Sequence, residues 1–150
     1  MLENKIRTPE EVEAYLHELR EWIAGEEEAA AEEMSAFFTK RLAHYEDVHL
    51  GNWGELYAHI ADFFDGGLET LLDIGCGTGL ELEAVYRRFP EAAVTGIDLS
   101  GDMLAKAREK FAGRGFRGIE ADYFVYPFPA GVFDAALSFE TLHHFPFEKK

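Results

Sequence analysis

The chain has 150 residues, of which 47% are apolar, and 13 are phenylalanine. That is one domain's worth of chain, enough to bury about 68–70% of its unfolded surface, and too hydrophobic for general disorder. Asp and Glu outnumber Lys and Arg by 29 to 14, and the net charge of −15 disfavours nucleic-acid phosphates as a partner. Cys76 is the one cysteine, which excludes an internal disulfide and a multi-cysteine zinc site. The opening residues start no apolar run and no stretch approaches about 18 apolar residues, so neither a signal peptide nor a membrane span is expected, and a cytoplasmic location is.

The first 66 residues read as helix. Thr8 can cap, Pro9 suits the first helical position, and Glu11 completes a capping box. Val12, Tyr15, Leu16, Leu19, Trp22 and Ile23 follow on one face, and Gly25 is a break. A second helix opens on Glu26, Glu27 and Glu28, a run that reads as a solvated face, and carries Met34, Phe37, Phe38 and Leu42. A third is expected to start near Asn52, to carry Leu56, Ile60, Phe63 and Phe64, and to stop at Gly66 and Gly67.

From residue 68 the rhythm alternates. Thr70 to Ile74 is a short apolar run ending in glycines. Leu80 to Phe89 recur at helical spacing until Pro90, and Ala93 to Ile97 form a second strand. Ser100 can cap a helix through Met103, Leu104, Ala107 and Phe111, closed by Gly113. Phe116–Glu120 and Phe133–Phe139 are the third and fourth strand candidates. Strand–helix–strand alternation with short connections predicts an α/β fold with a parallel sheet, whose ligands lie beyond the carboxyl ends of the strands.

Those ends carry the chemistry. The first reads Asp73-Ile74-Gly75-Cys76-Gly77-Thr78-Gly79. Alternate glycines allow a sharp turn and a ligand lying on bare backbone. A dinucleotide turn requires G-x-G-x-x-G/A, but the third glycine here comes one residue early and Leu80 stands where Gly or Ala is needed. Asp73 also suits a cationic or neutral ligand better than a diphosphate. The second strand ends in Asp98, whose carboxylate can accept from both hydroxyls of a ribose. The third is followed by Asp122 and Tyr123, the fourth by Ser138, Phe139, Glu140 and the run Leu142-His143-His144. Taken singly, Asp98 could be a helix cap and Asp122 the start of a turn.

Together, Asp73-x-Gly75-x-Gly77-x-Gly79, Asp98-Leu99-Ser100 with Met103, Ala121-Asp122, and Phe133-Asp134 with Ser138 resemble the class I S-adenosylmethionine (SAM)-dependent methyltransferases over residues 68–145. Leu142-His143-His144 is similar to the small-molecule, quinone-biosynthesis type. The resemblance implies a Rossmann-like parallel sheet sandwiched by helices. Residues 1–66 would form a helical lid or cap and residues 67–150 a SAM-binding half domain. It implies SAM as cofactor. Asp73 would face the methionine ammonium. Gly75, Cys76, Gly77 and Gly79 would line the methionine and ribose, and Asp98 would hold the ribose hydroxyls. Leu99 and Met103 would sandwich the adenine, which Asp122 and the Tyr123 N–H would recognise, while backbone at Ser138 and Phe139 would close the methionine end. His143, His144 and Glu140 are candidate substrate contacts, with Tyr126 behind them. His143 and His144, about 100° apart on a helix, do not suit one metal ion, and no metal is expected. Cys76 has no adjacent base and reads as a small spacer.

The implied activity is in-line methyl transfer to O, N or C of a small metabolite. The alternatives are a non-catalytic module holding SAM or its demethylated product, and a nucleotide-binding oxidoreductase domain. The family sheet has seven strands, so its C-terminal strands are expected to be missing. The exposed edge of the fourth strand would then be covered by a homodimer partner or another chain.

Overall fold

The computed structural model describes residues 8–10, 12–14, 16–17, 20 and 34–145. Residues 1–33 and 34–150 form two compact units. In the first, Pro9 and Glu10 are helical and the Val12 N–H bonds to the Thr8 carbonyl at 3.0 Å, so the helix starts where Thr8 and Pro9 place it. Tyr15, Leu19, Trp22, Ile23, Gly25 and the Glu26–Glu28 run lie outside the described residues.

In the second unit two helices, α1 (Met34–Arg41) and α2 (Tyr45–His59), lead through a 3₁₀ turn at Ile60–Phe63 into a four-stranded parallel sheet. β1 (Thr70–Ile74), α3 (Leu82–Arg88), β2 (Ala93–Asp98), α4 (Gly101–Lys110), β3 (Phe116–Glu120) and β4 (Ala135–Leu137) follow in chain order. The strands lie in the order β3-β2-β1-β4, with Asp73 opposite Gly96 and Leu137, and Asp98 opposite Glu120. The chain reverses direction across the sheet between β1 and β4, which is where such folds bind ligands.

The central strand β1 buries Leu71, Leu72 and Asp73 in succession, as a strand covered on both faces must. Leu71 packs with Leu82, Val85 and Tyr86 of α3, Val94 of β2, and Ile60 and Ala61 of the 3₁₀ turn. α4 buries Met103, Leu104 and Ala107, and Ser100 caps it by accepting the Met103 N–H at 3.3 Å. β4 is shorter than its apolar run. It is clasped at its start by Asp134, whose Oδ2 accepts from the Glu69 N–H, the Thr70 N–H and the Thr70 hydroxyl at 3.1, 2.8 and 2.9 Å.

α2 starts at Tyr45, seven residues ahead of Asn52, and runs through Gly51 and Gly54. The reason is tertiary. Lys106 of α4 donates to the Leu42 carbonyl at 3.1 Å, and Lys110 pairs with Glu46, so the first turn of α2 is anchored despite the glycines. The helix ends at His59 rather than at the glycines. Gly66, at φ +77°, turns the chain toward β1. Residues 34–66 therefore share one compact unit with the sheet.

Candidate functional site

The turn after β1 is tied to β2 by its own backbone. The Gly75 and Cys76 N–H groups both reach the Ile97 carbonyl, at 2.8 and 3.2 Å. Gly77 donates to Asp98 Oδ2 at 2.9 Å, and Gly79 donates to the Cys76 carbonyl at 2.7 Å. A diphosphate cradle needs such groups free; here four of them are spent inside the protein. The three glycines adopt φ of +71°, +50° and +72°, a region that L side chains avoid. Their bare sides differ in purpose. A Cβ at Gly75 would run into the Thr141 side chain, and one at Gly77 would lie 3.5 Å from the Tyr45 hydroxyl and 3.7 Å from Met103 Cε. A Cβ at Gly79 would press 2.7 Å from the Phe111 ring, so that glycine serves the core.

Three carboxyl groups converge beneath the turn. Asp73 is 0% exposed and neither of its oxygens meets a donor among the described residues. Burial holds it well above the usual carboxylate range, and Glu81 and then Asp98 push it further. Glu81, also buried, is raised to about 7 by burial and by Asp98, against the pull of its own backbone N–H, Asp73 and Lys110. Asp98 is raised by burial too, against N–H bonds from Ser100, Gly77 and Leu99; its Oδ1 takes the Ser100 N–H at 2.8 Å. Buried carboxyl groups held back from ionising are relieved by a cationic guest and worsened by an anionic one.

The remaining sequence candidates surround this point. Asp98, Leu99, Tyr123 and His144 line a cleft with Phe38, Ser100, Thr141 and Phe145, and its volume is about 30 Å³, room for little more than a water molecule. Met103 is buried under Gly77. Asp122 starts a turn, accepting the Phe124 N–H on Oδ1 at 2.9 Å. Phe139 packs edge-on against Tyr57 at 5.0 Å, while the Ser138 side chain is exposed. Glu140 takes φ +51°, the one non-glycine residue with positive φ among the described residues. His144 meets Phe38 edge-on at 5.3 Å and stacks on His143 at 3.9 Å. Tyr126 meets Phe128 edge-on instead, at 4.8 Å. The buried Cys76 thiol is pushed up by burial and then by Asp73, the opposite of an activated nucleophile. Among the described residues no His, Cys, Asp and Glu cluster suits a metal ion, and no helix is long and apolar enough to cross a membrane.

Four residues were not marked by the motif. Glu81 hides in an amphipathic helix pattern. Tyr45 and Thr141 reach the turn only through tertiary folding. Gly96 is needed because a Cβ there would sit 2.6 Å from Cys76 Sγ. Its place opposite Asp73 in the strand register was the available signal.

The fold and this turn define a class, and comparison with known proteins agrees. Residues 71–150 match the model of the methyltransferase domain family, and the chain belongs to that family. It is 49% identical over 60 residues to a trans-aconitate 2-methyltransferase of Rhodopseudomonas palustris, an alignment covering 40% of this chain and 23% of that protein. The structure of an S-adenosyl-L-methionine-dependent methyltransferase from Methanococcus maripaludis superposes with a TM-score of 0.65 at 18% identity, covering 79% of this chain and 57% of the other, which shows the fold. Phosphoethanolamine N-methyltransferase 2 of Haemonchus contortus, solved with phosphomonomethylethanolamine and S-adenosylhomocysteine, superposes at 27% identity and a TM-score of 0.55 over 65% of this chain and 24% of its own. The chain thus spans about a quarter of the curated relative and just over half of the longest-covered structure.

Proposed function

We propose that the chain binds S-adenosylmethionine at the β1–β2 tips and carries its methyl group to O, N or C of a small metabolite. The observation that carries this reading is the pairing of a glycine turn whose N–H groups are already spent with three buried carboxyl groups, of which Asp73 meets no donor among the described residues. The donor set fits a ligand bearing a sulfonium and an ammonium, and does not fit a diphosphate. When bound, the cofactor supplies a methyl group on a good leaving group, so the chain's part is to bind, orient and exclude water.

In this reading Asp98 holds the ribose hydroxyls on the lone pairs left over from Gly77 and Ser100. Leu99 and Met103 flank the adenine, Asp122 and the Tyr123 N–H recognise its edge, and Asp73 takes the ammonium. Gly75, Cys76 and Gly77 lie along the methionine and ribose, and Ser138 and Phe139 border the methionine end. His143, His144 and Glu140 face the acceptor. Because Thr141 rests on Gly75 and Tyr45 on Gly77, and the cleft is water-sized, Phe38, Tyr45 and the 141–145 segment must move aside to admit a nucleoside.

Calorimetric titration with S-adenosylhomocysteine, alongside methyl release from S-adenosylmethionine over a panel of small acids, amines and phenols, tests the reading. Binding with methyl release supports it. Binding without release on any acceptor favours a module that holds the cofactor, and no binding defeats both.

A further inference from the structure

Although the net charge is −15, three of the 14 Lys and Arg residues line one cleft between α3 and the end of α4. Arg87 comes from the last turn of α3, Lys110 is the last residue of α4, and Arg114 lies in the turn that follows. The cleft measures about 370 Å³, within the size range of small-ligand pockets, and its other walls are Glu83, Tyr86 and Phe111. It shares no lining residue with the cleft at Asp98. Charges farther off than about 10 Å are largely screened, so the nearby cations decide what binds here.

A basic side chain in the last turn of a helix is an ordinary partner of the helix dipole. That accounts for Arg87 and Lys110 but not for Arg114, which stands beyond α4 and sets its guanidinium over the Tyr86 ring at 5.3 Å. Among the described residues neither Arg87 nor Arg114 has a carboxylate at ion-pair distance, whereas Arg88 meets Asp62 and Lys110 meets Glu46 and Glu83. Tyr86 supplies an independent sign of a ligand. It is 3% exposed, and its hydroxyl has no partner among the described residues. A buried hydroxyl left without a bond is costly. Burial pushes that phenol up to about 12, so it keeps its proton at neutral pH and can donate.

We propose that this cleft binds the phosphate of a small phosphomonoester, with Arg87 and Arg114 as the clamp, Lys110 beside them and the Tyr86 hydroxyl as a neutral donor. The site uses none of the strand tips and is independent of the cofactor reading above. A phosphomonoester offers three terminal oxygens and close to two negative charges, so donors from α3, from α4 and from the turn after it can each meet an oxygen of their own. A carboxylate offers two oxygens and one charge. The cleft exceeds the size of a phosphate group and leaves room for the organic part of the ester beside Tyr86 and Phe111. Glu83, on the same wall, opposes the ligand with its charge and limits the affinity.

The experiment is backbone amide NMR of the full chain titrated with phenyl phosphate, inorganic phosphate and benzoate at about 0.1 M salt. Phenyl phosphate is expected to shift the Arg87, Lys110 and Arg114 amides saturably and to leave Gly77 and Leu99 in place. Inorganic phosphate and benzoate are expected to bind at least about fivefold more weakly. Arg87 and Arg114 are exposed, so Arg87→Gln with Arg114→Gln keeps the fold, and it is expected to weaken phenyl phosphate at least about tenfold. Tyr86→Phe, which removes only the unpartnered hydroxyl, is expected to weaken it about threefold, and Glu83→Gln to tighten it about threefold. No saturable shift with phenyl phosphate, or unchanged affinity in the double arginine variant, overturns the site. Equal binding of benzoate overturns the assignment to a phosphate, and equal binding of inorganic phosphate overturns the ester. Unchanged binding in Tyr86→Phe, or unchanged or weaker binding in Glu83→Gln, contradicts the placement of the phosphate between these walls.

Discussion

Gly77 donates its backbone N–H to the Asp98 carboxylate at 2.9 Å, so the turn after β1 is held by the tip of β2. The other oxygen of the same carboxylate takes the Ser100 N–H at 2.8 Å and sets the start of α4. One side chain thus shapes the turn, caps the approach to a helix and presents its remaining lone pairs to the cleft.

Asp98→Ala is therefore expected to act twice. Two N–H groups lose a charged acceptor, which costs about 2–3 kcal/mol of stability, and affinity for S-adenosylhomocysteine falls at least about tenfold. Asp98→Asn keeps one acceptor and is expected to recover most of the stability but not the affinity. Denaturant melts and calorimetry on the two variants separate the effects; unchanged affinity in both would remove Asp98 from the site.

The buried acids make stability depend on pH. Glu81 titrates near its ordinary value of 4.5 when unfolded and at about 7 when folded. The folded chain then holds more protons than the unfolded chain between those values, so this contribution is fully present below 4.5 and is lost as pH rises through 7. Asp73, also raised by burial, acts in the same direction, and the two carboxyl groups titrate together. His49 and His144, both lowered chiefly by burial, work oppositely as they deprotonate. Thermal melts of wild type and Glu81→Gln from pH 4.5 to 8 isolate the carboxyl term: the variant is expected to gain stability relative to wild type as pH rises. A constant difference would contradict the assignment.

Gly96 leaves room for Cys76. A Cβ there would lie 2.6 Å from the thiol sulfur and 2.9 Å from the Phe116 ring. Gly96→Ala is expected to cost about 1–3 kcal/mol. Adding Cys76→Ala should return part of that and no more, because Phe116 still crowds the new methyl. A double-mutant cycle by chemical melt checks it; full additivity would mean that the two positions do not meet.

Phe38 stands across the cleft from Asp98, edge-on to His144. If it must move to admit a nucleoside, Phe38→Ala is expected to speed association with S-adenosylhomocysteine severalfold in stopped-flow mixing. A slower association would make Phe38 a ligand contact rather than an obstruction.

Much of this architecture was legible in the residues. β1 and β3 run over Thr70–Ile74 and Phe116–Glu120 as their apolar runs predict, and Ser100 caps α4 as expected. Local signals were strong there: short β-branched and apolar runs between glycines, with an acid at each tip. Where tertiary forces decided, the pattern misled. α2 begins at Tyr45 because Lys106 of α4 holds the Leu42 carbonyl just ahead of it and Lys110 holds Glu46 in its first turn, and no local signal encodes a lysine some 60 residues away. β4 stops at Leu137 because only Leu71–Asp73 offer it a partner, and Phe139 turns to Tyr57 instead. In the site, the motif marks Asp73, Gly75, Gly77 and Asp98. It is silent on Glu81, whose burial beside Asp73 exists only once α3 has docked.

The central claim is that the tips of β1, β2 and β3 hold an adenosyl cation carrier. Backbone amide NMR of the chain titrated with S-adenosylhomocysteine tests it most directly. Saturable shifts are expected at Gly75, Gly77, Asp98, Leu99 and Tyr123, with little change on the far side of the sheet, at Glu69 and Asp134, where β1 and β4 begin. No shifts at saturating ligand, or shifts confined to that far side, would contradict it.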